Sequence, residues 1–143
     1  MRLISAFVMA VLFLGVARAD DAADLKAMVG KWKLEKAEIG GKDISVHLKE
    51  MKFEIYAGGK YLAQVGEEKD ESTFTVDPAK TPKEMDVKPT GGPHKGKIVK
   101  AIYKQDGDTL IICYNFTATE DRPTKFETKP DSMTLLVTYK RKK

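Results

Sequence analysis

From Met51 onward the chain is a series of short stretches in which apolar and polar residues alternate. A period of two is typical of strands that bury one face. Turns rich in Gly, Pro and Asp separate the stretches at a spacing typical of an antiparallel sandwich or barrel, and long helical patterns are absent. The pattern predicts an all-β domain with about nine strands. These are one strand starting near Trp32, then Met51–Tyr56, Lys60–Val65, Ser72–Asp77, Glu84–Lys88, Lys97–Lys104, Thr109–Phe116, Thr124–Thr128 and Met133–Lys140.

The stretch from Ile98 to Phe116 predicts the central hairpin of this sheet. Two β-rich runs flank Asp106-Gly107, and a glycine there accepts the positive φ of a primed turn. Asp106 and Asp108 also raise the alternative of a calcium loop. The spacing of such a loop, with its closing Glu, is missing, which favours turn chemistry.

The segment before the first strand predicts a short helix, Asp20–Val29. Its Asp residues offer N-cap oxygens, and Gly30 can close it. In the strand that follows, Trp32 and Leu34 fall on one side, while Ala37 and Ile39 fall on the other. That change of phase indicates a bulge or strong coiling.

Alternation assigns an inward face to each predicted strand. The inward sets are Phe53 and Ile55; Tyr61, Ala63 and Val65; Phe74 and Val76; Met85 and Val87; Ile98 and Ile102; Leu110, Ile112, Tyr114 and Phe116; and Met133, Leu135, Val137 and Tyr139.

The N-terminus has the three parts of a secretory signal peptide. Met1-Arg2 is positive, Leu3 to Val16 is apolar, and Ala17-Arg18-Ala19 is a small-residue cleavage site. The interpretation is a signal peptide over residues 1–19, a single domain over residues 20–143, and an exported, periplasmic or extracellular protein. No cofactor and no metal site are expected.

Charge and cysteine usage exclude several classes. Removing Arg2 and Arg18 lowers the formal charge from +4 to +2, so no nucleic-acid footprint is expected. Cys113 is alone, and we interpret it as a small core residue, with pairing to another chain as the alternative. His47 and His94 have no motif connecting them to a nucleophile, and no catalytic motif is present.

An ordered series of motifs runs through residues 20–143. It consists of Gly30-Lys31-Trp32, Thr73 to Asp86, Gly96 with Ala101-Ile102-Tyr103, Asp106 to Leu110, Arg122-Pro123 with Phe126, and Leu135 to Arg141. This series resembles a family of uncharacterised secreted lipocalin-like domains expanded in planctomycete bacteria. The resemblance covers nearly all of residues 20–143, and Ala101 stands where that family usually has Gly.

The resemblance implies an antiparallel up-and-down lipocalin-like barrel of eight to nine strands with a short N-terminal helix. In that pattern Gly30 and Trp32 close one end, and an arginine packs on the Trp. Either Arg122 or Arg141 is a candidate for that role, with a cation–π contribution of roughly 0.5–2 kcal/mol.

The leading functional hypothesis is a non-enzymatic carrier of a small hydrophobic ligand. Four aromatic residues, Tyr61, Tyr103, Tyr114 and Phe116, are the candidate ligand contacts. The alternative is a protein-interaction module with a filled barrel and binding loops around 89–96 and 117–123. A connected apolar cavity of ~300 Å³ or more would favour the carrier.

Overall fold

The computed structural model describes residues 21–91, 95–116 and 121–142. The predicted signal peptide, His94 and parts of both candidate binding loops lie outside the described residues. A helix spans residues 21–28, and a single 3-10 turn spans Ser45–Leu48. The strands are β1 Gly30–Ile39, β2 Lys42–Asp43, β3 Lys52–Tyr56, β4 Lys60–Val65, β5 Glu68–Asp77, β6 Lys83–Pro89, β7 Val99–Asp106, β8 Thr109–Asn115 and β9 Thr134–Arg141.

These strands form one closed antiparallel barrel. From β3 to β9, each strand pairs with the next along the chain, and β1 pairs with both β3 and β9, which closes the cylinder at eight strands. The short β2 is an additional strand on β1. The predicted all-β up-and-down barrel with a short N-terminal helix is therefore confirmed.

A bulge in β1 accounts for the change of phase in its sequence. The register with β9 shifts between Leu34 and Lys36, so one extra residue is accommodated there. Trp32, Leu34 and Ala37 are consequently all buried on the inner side. The bulge predicted from the sequence is confirmed.

The central hairpin forms where the sequence predicts it. Asp106 pairs with Thr109, and the two-residue turn between them has a φ of 60° at Gly107. Asp108 does not have a positive φ, which is typical of a type II′ turn. The Asp108 carboxylate accepts a hydrogen bond from Arg141 Nε at 3.1 Å, so it has a structural partner within the protein.

The predicted strand Thr124–Thr128 is wrong. These residues belong to an irregular segment that runs over the outside of the barrel, which we call the outer strap (residues 121–130). The predicted inward residues of β7, Ile98 and Ile102, are also wrong. The inward residues of β7 are Val99, Ala101 and Tyr103, whereas Ile98 is 48% exposed.

Ile102 is buried on the outer face of β7, outside the interior cluster. It pairs with Cys113 of β8, which in turn pairs with Leu136 of β9. The Cys113 thiol lies 3.7 Å from the carbonyl oxygen of Glu127 in the outer strap. Cys113 is a buried free thiol under the strap, and not part of the barrel interior.

Candidate ligand cavity and the two barrel ends

The helix at residues 21–28 covers one end of the barrel, which we call the closed end. Met28 is fully buried there, and its carbonyl oxygen accepts a hydrogen bond from Trp32 Nε1 at 2.9 Å. Leu25 packs against the same core. The apolar side of the helix therefore covers the closed end of the interior.

Arg141 completes this end of the barrel. Its guanidinium lies 4.4 Å from the Trp32 ring and donates to the carbonyl oxygens of Val29 and Ala27 at 2.8 and 2.7 Å. These carbonyls belong to the last turn of the helix and the residue after it, where backbone acceptors lack intrahelical partners. One side chain thus joins the last strand, the helix and the buried Trp.

Gly30 is required by the same arrangement. Its φ is 144°, and a Cβ placed on it would lie 2.7 Å from Arg141 Nη1. A larger residue would therefore meet both backbone strain and the guanidinium.

Arg122 lies at a different place, on the outside of the barrel. Its guanidinium donates to the carbonyl oxygens of Met85 and Ala101 at 3.0 and 2.9 Å and to the Asp86 carboxylate at 2.6 Å. Glu84 lies 3.5 Å away. Of the two candidate arginines, Arg141 packs on Trp32, and Arg122 fastens the outer strap to β6 and β7.

Tyr103 also belongs to the closed end. Its ring is buried, and its hydroxyl donates to the Asp24 carboxylate at 2.7 Å, while Lys83 binds the same carboxylate at 3.0 Å. Burial and the neighbouring Asp24 charge raise the pKa of Tyr103 well above its usual range. The tyrosine helps to hold the helix on the barrel.

The opposite end of the barrel contains a cavity of about 430 Å³, which we call the open-end cavity. Most of its wall is apolar or aromatic, and the 3-10 turn contributes Leu48 to one side. The lining residues are Ile39, Leu48, Met51, Phe53, Tyr61, Ala63, Val65, Glu68, Asp70, Ser72, Pro89, Gly91, Tyr114, Phe116, Met133, Leu135, Val137 and Tyr139.

Aromatic rings form the inner part of this cavity. Phe53 stacks on Tyr139 with ring centroids 4.3 Å apart and lies 5.0 Å from Tyr61. Tyr61 in turn lies 6.0 Å from Phe74, which is buried deeper along β5. Nearer the mouth, Tyr114 stacks with Phe116 at 5.7 Å. Such rings provide a large apolar contact area at fixed positions.

The tyrosine hydroxyls of the cavity lie beside other hydroxyls. The Tyr61 hydroxyl is near that of Ser72, and the Tyr114 hydroxyl is near that of Tyr139. Burial raises the pKa of all three tyrosines above the usual value, so these hydroxyls are neutral at physiological pH. Among the described residues, every buried side-chain nitrogen or oxygen has a hydrogen-bond partner.

The structure brings together three of the four predicted ligand contacts. Tyr61, Tyr114 and Phe116 line the open-end cavity, whereas Tyr103 is absent from its lining and lies at the closed end. Tyr103 and Tyr114 both point inward on neighbouring strands. Their positions along the barrel axis separate them, and alternation carries no information about that axis.

Sequence reasoning missed two carboxylates in the lining, Glu68 and Asp70. The run from Glu67 to Glu71 is typical of a solvated loop, but β5 begins at Glu68 and pairs with β4 through Val65. The sequence feature that could have revealed them is Gly66-Glu67. A two-residue turn at this position extends the pairing of β4 with β5 to Glu68, and it places Glu68, Asp70 and every second residue after them on the inner side.

Two further pockets of similar volume lie among more polar residues. One, of about 380 Å³, runs along the outer strap from Arg122 to Thr134. The other, of about 420 Å³, lies beside β1 and β3 and is lined by five lysines together with Glu50 and Glu54. The described residues contain no cluster of three His, Cys, Asp or Glu side chains arranged to hold a metal.

Comparisons with protein-family models, with curated proteins and with solved structures found no match. Within residues 21–91, 95–116 and 121–142, no helix has the length and hydropathy needed to cross a membrane.

Proposed function

We propose that this protein is an exported, non-enzymatic lipocalin-like carrier that binds a small apolar ligand in the open-end cavity. The single observation that carries the proposal is the cavity itself. Its volume of about 430 Å³ falls within the range of small-molecule sites, which is ~300–1,000 Å³. A barrel filled by its own side chains would have favoured the interaction module instead.

The chemistry of the cavity supports an apolar occupant. Its inner part consists of aromatic rings, and burial keeps the tyrosine hydroxyls there neutral. An uncharged, apolar group entering this space would release water from aromatic surface, and it would place no charge beside these neutral hydroxyls.

Access supports the same proposal. Met133 is 52% exposed and Val65 is 41% exposed, and both line the cavity, so the apolar wall continues to the protein surface. An apolar surface of this kind on a monomeric protein is typical of a binding site. The proposal also includes two expectations from the sequence: that the protein is a member of the planctomycete lipocalin-like family and that it carries an export signal.

The test is native mass spectrometry of protein purified gently from an exporting host, followed by denaturing mass analysis of the same sample. We expect a small-molecule adduct that disappears on denaturation. Ala63→Phe adds a ring inside the cavity and should abolish the adduct, whereas the same change at the exposed Ala79 should not.

Thermal unfolding must show that the Ala63→Phe protein is folded. Met133→Trp, which adds bulk at the exposed mouth, provides a second blocking variant that leaves the deep core unchanged. The proposal fails if the wild-type protein carries no adduct and also binds no member of a panel of alkyl amines, alcohols and carboxylates.

A further inference from the structure

The charged residues in the lining of the open-end cavity are both acidic. Glu68 and Asp70 are its only charged members among the described residues, and no Lys or Arg belongs to the lining. Lys69 lies between the two carboxylates on β5, and alternation places it on the opposite face of the strand, outside the lining. The mouth of the cavity therefore has a negative local field despite the positive formal charge of the chain.

The β-sheet topology explains why these two carboxylates lie at the mouth. The last residue pair between β5 and β6 joins Ser72 to Pro89, so β5 extends beyond the end of β6 by the residues that include Glu68 and Asp70. These residues still pair with β4, through Val65 and Ala63, so they are held on a regular ladder.

The orientation of Asp70 ties the charge to the cavity. Ser72, two residues further along β5, is buried and lines the cavity, and Phe74 is buried beyond it, which shows that this alternate set of β5 residues faces inward. The Asp70 carboxylate is close enough to contribute to the raised pKa of Tyr61. Glu71, between them, points to the outer face.

Depth divides the cavity chemically. The inner part has aromatic rings and neutral hydroxyls, and the rim has two carboxylates that belong to no ion pair among the described residues. An apolar tail fits the inner part, and a cation or hydrogen-bond donor fits the rim. A carboxylate or phosphate head at the same position would face like charge.

We propose that the ligand is an apolar molecule with a cationic amine at one end, which inserts its apolar part and leaves the amine beside Glu68 and Asp70. This inference rests on the proposed function of the cavity. Because both carboxylates are solvent-exposed, the head-group selectivity is electrostatic and screened by salt.

The experiment is isothermal titration of the wild-type protein with dodecylamine, dodecanol and dodecanoate, each below its micelle-forming concentration. These probes share one chain and differ in charge. We expect the amine to bind most tightly, the alcohol next and the carboxylate weakest, with about tenfold between amine and carboxylate at low salt. The difference should shrink to about twofold at ~1 M salt, where the Debye length is short.

A matched set of variants assigns the selectivity to the rim. Glu68→Gln with Asp70→Asn removes both charges with little change of shape and should bring the affinities for amine and alcohol together. Glu71→Gln, which changes a carboxylate on the outer face of the same strand, should leave the wild-type order intact. Circular dichroism checks that each variant is folded.

The outcomes separate this inference from the proposed function. Equal affinities for the three probes, or tightest binding of the carboxylate, would overturn the amine head group while the apolar cavity stands as the site. Wild-type selectivity in the doubly neutralised variant would also overturn it. Failure of all three probes to bind would overturn the amine head group, whereas the proposed function is lost only if the wild-type protein also carries no small-molecule adduct.

Discussion

The two ends of this barrel use the same residue types for opposite purposes. At the closed end, Trp32 and Tyr103 each bind a specific partner in the helix, and Arg141 joins them. At the open end, the hydroxyls of Tyr114 and Tyr139 lie near each other, and their rings line an unfilled cavity. Aromatic residues stabilise a fold where neighbours cover them, and they provide a binding surface where neighbours do not.

Burial alone does not identify a functional tyrosine in this barrel. Tyr103 and Tyr114 are both almost fully buried, and burial raises the pKa of both. What separates them is the adjacent space. Tyr103 meets Asp24 and the helix, whereas Tyr114 lines a volume large enough for a ligand.

The largest effect is expected at the closed end, from Trp32→Ala. Trp32 is 2% exposed and binds the helix, so its loss should lower the free energy of unfolding by about 3–5 kcal/mol through cavity formation. Urea unfolding followed by far-UV circular dichroism measures this, since the variant has no tryptophan. A loss below ~1 kcal/mol would contradict a stabilising role for this end.

Arg141→Ala should have the next largest effect and lower the free energy of unfolding by about 2 kcal/mol. The variant loses the charge-assisted hydrogen bonds to two carbonyls together with the contact with Trp32. Arg141→Lys should recover only part of this loss, since an ammonium lacks the planar fork. Lys142→Ala, the same truncation at the exposed neighbour, is the control. Equal losses in the Arg141 and Lys142 alanine variants would break the assignment of Arg141 to barrel closure.

The raised pKa values of the buried tyrosines predict a loss of stability at alkaline pH. Their folded-state pKa values are raised above the unfolded value of about 10, so the unfolded chain releases protons first as pH rises. Stability is therefore complete below pH ~10 and falls above it, by up to ~1.4 kcal/mol per pH unit for each raised tyrosine.

Tyr114→Phe and Tyr103→Phe, one at each end, should each flatten this alkaline slope by up to that amount. Urea unfolding between pH 8 and about pH 11 provides the measurement. An unchanged slope in both interior variants would show that other groups cause the alkaline loss.

The smallest effect on stability is expected at the open end, from Phe116→Ala. Phe116 is half-buried at the mouth, so the free energy of unfolding should fall by about 1 kcal/mol. The same change should weaken dodecylamine binding by about tenfold, because ring contact with the ligand is lost. Trp32→Ala should instead lower the free energy of unfolding strongly and change dodecylamine binding little. A Phe116→Ala protein that is strongly destabilised but binds normally would remove the distinction between the ends.

Sequence reasoning identified most of the strands and the hairpin because those features depend on neighbouring residues. Alternation in Phe53 and Ile55, or in Phe74 and Val76, specifies an inner face when the outer face is polar. The same reasoning failed on β7, where Ile98, Val99 and Ile102 make both faces apolar. The barrel core buries one face of β7, and the outer strap lies beside the other. The sequence of β7 alone does not show that residues 121–130 pack there.

The candidate site was predicted in part for the same reason. The inward direction of Tyr61, Tyr114 and Phe116 is predictable from a period of two along each strand. Three features depend on how the strands assemble: Tyr103 lies at the other end, Arg141 and not Arg122 packs on Trp32, and Glu68 and Asp70 reach the mouth. Height in a barrel is set by the stagger between paired strands, which accumulates around the closed sheet and is not encoded in any single stretch of sequence.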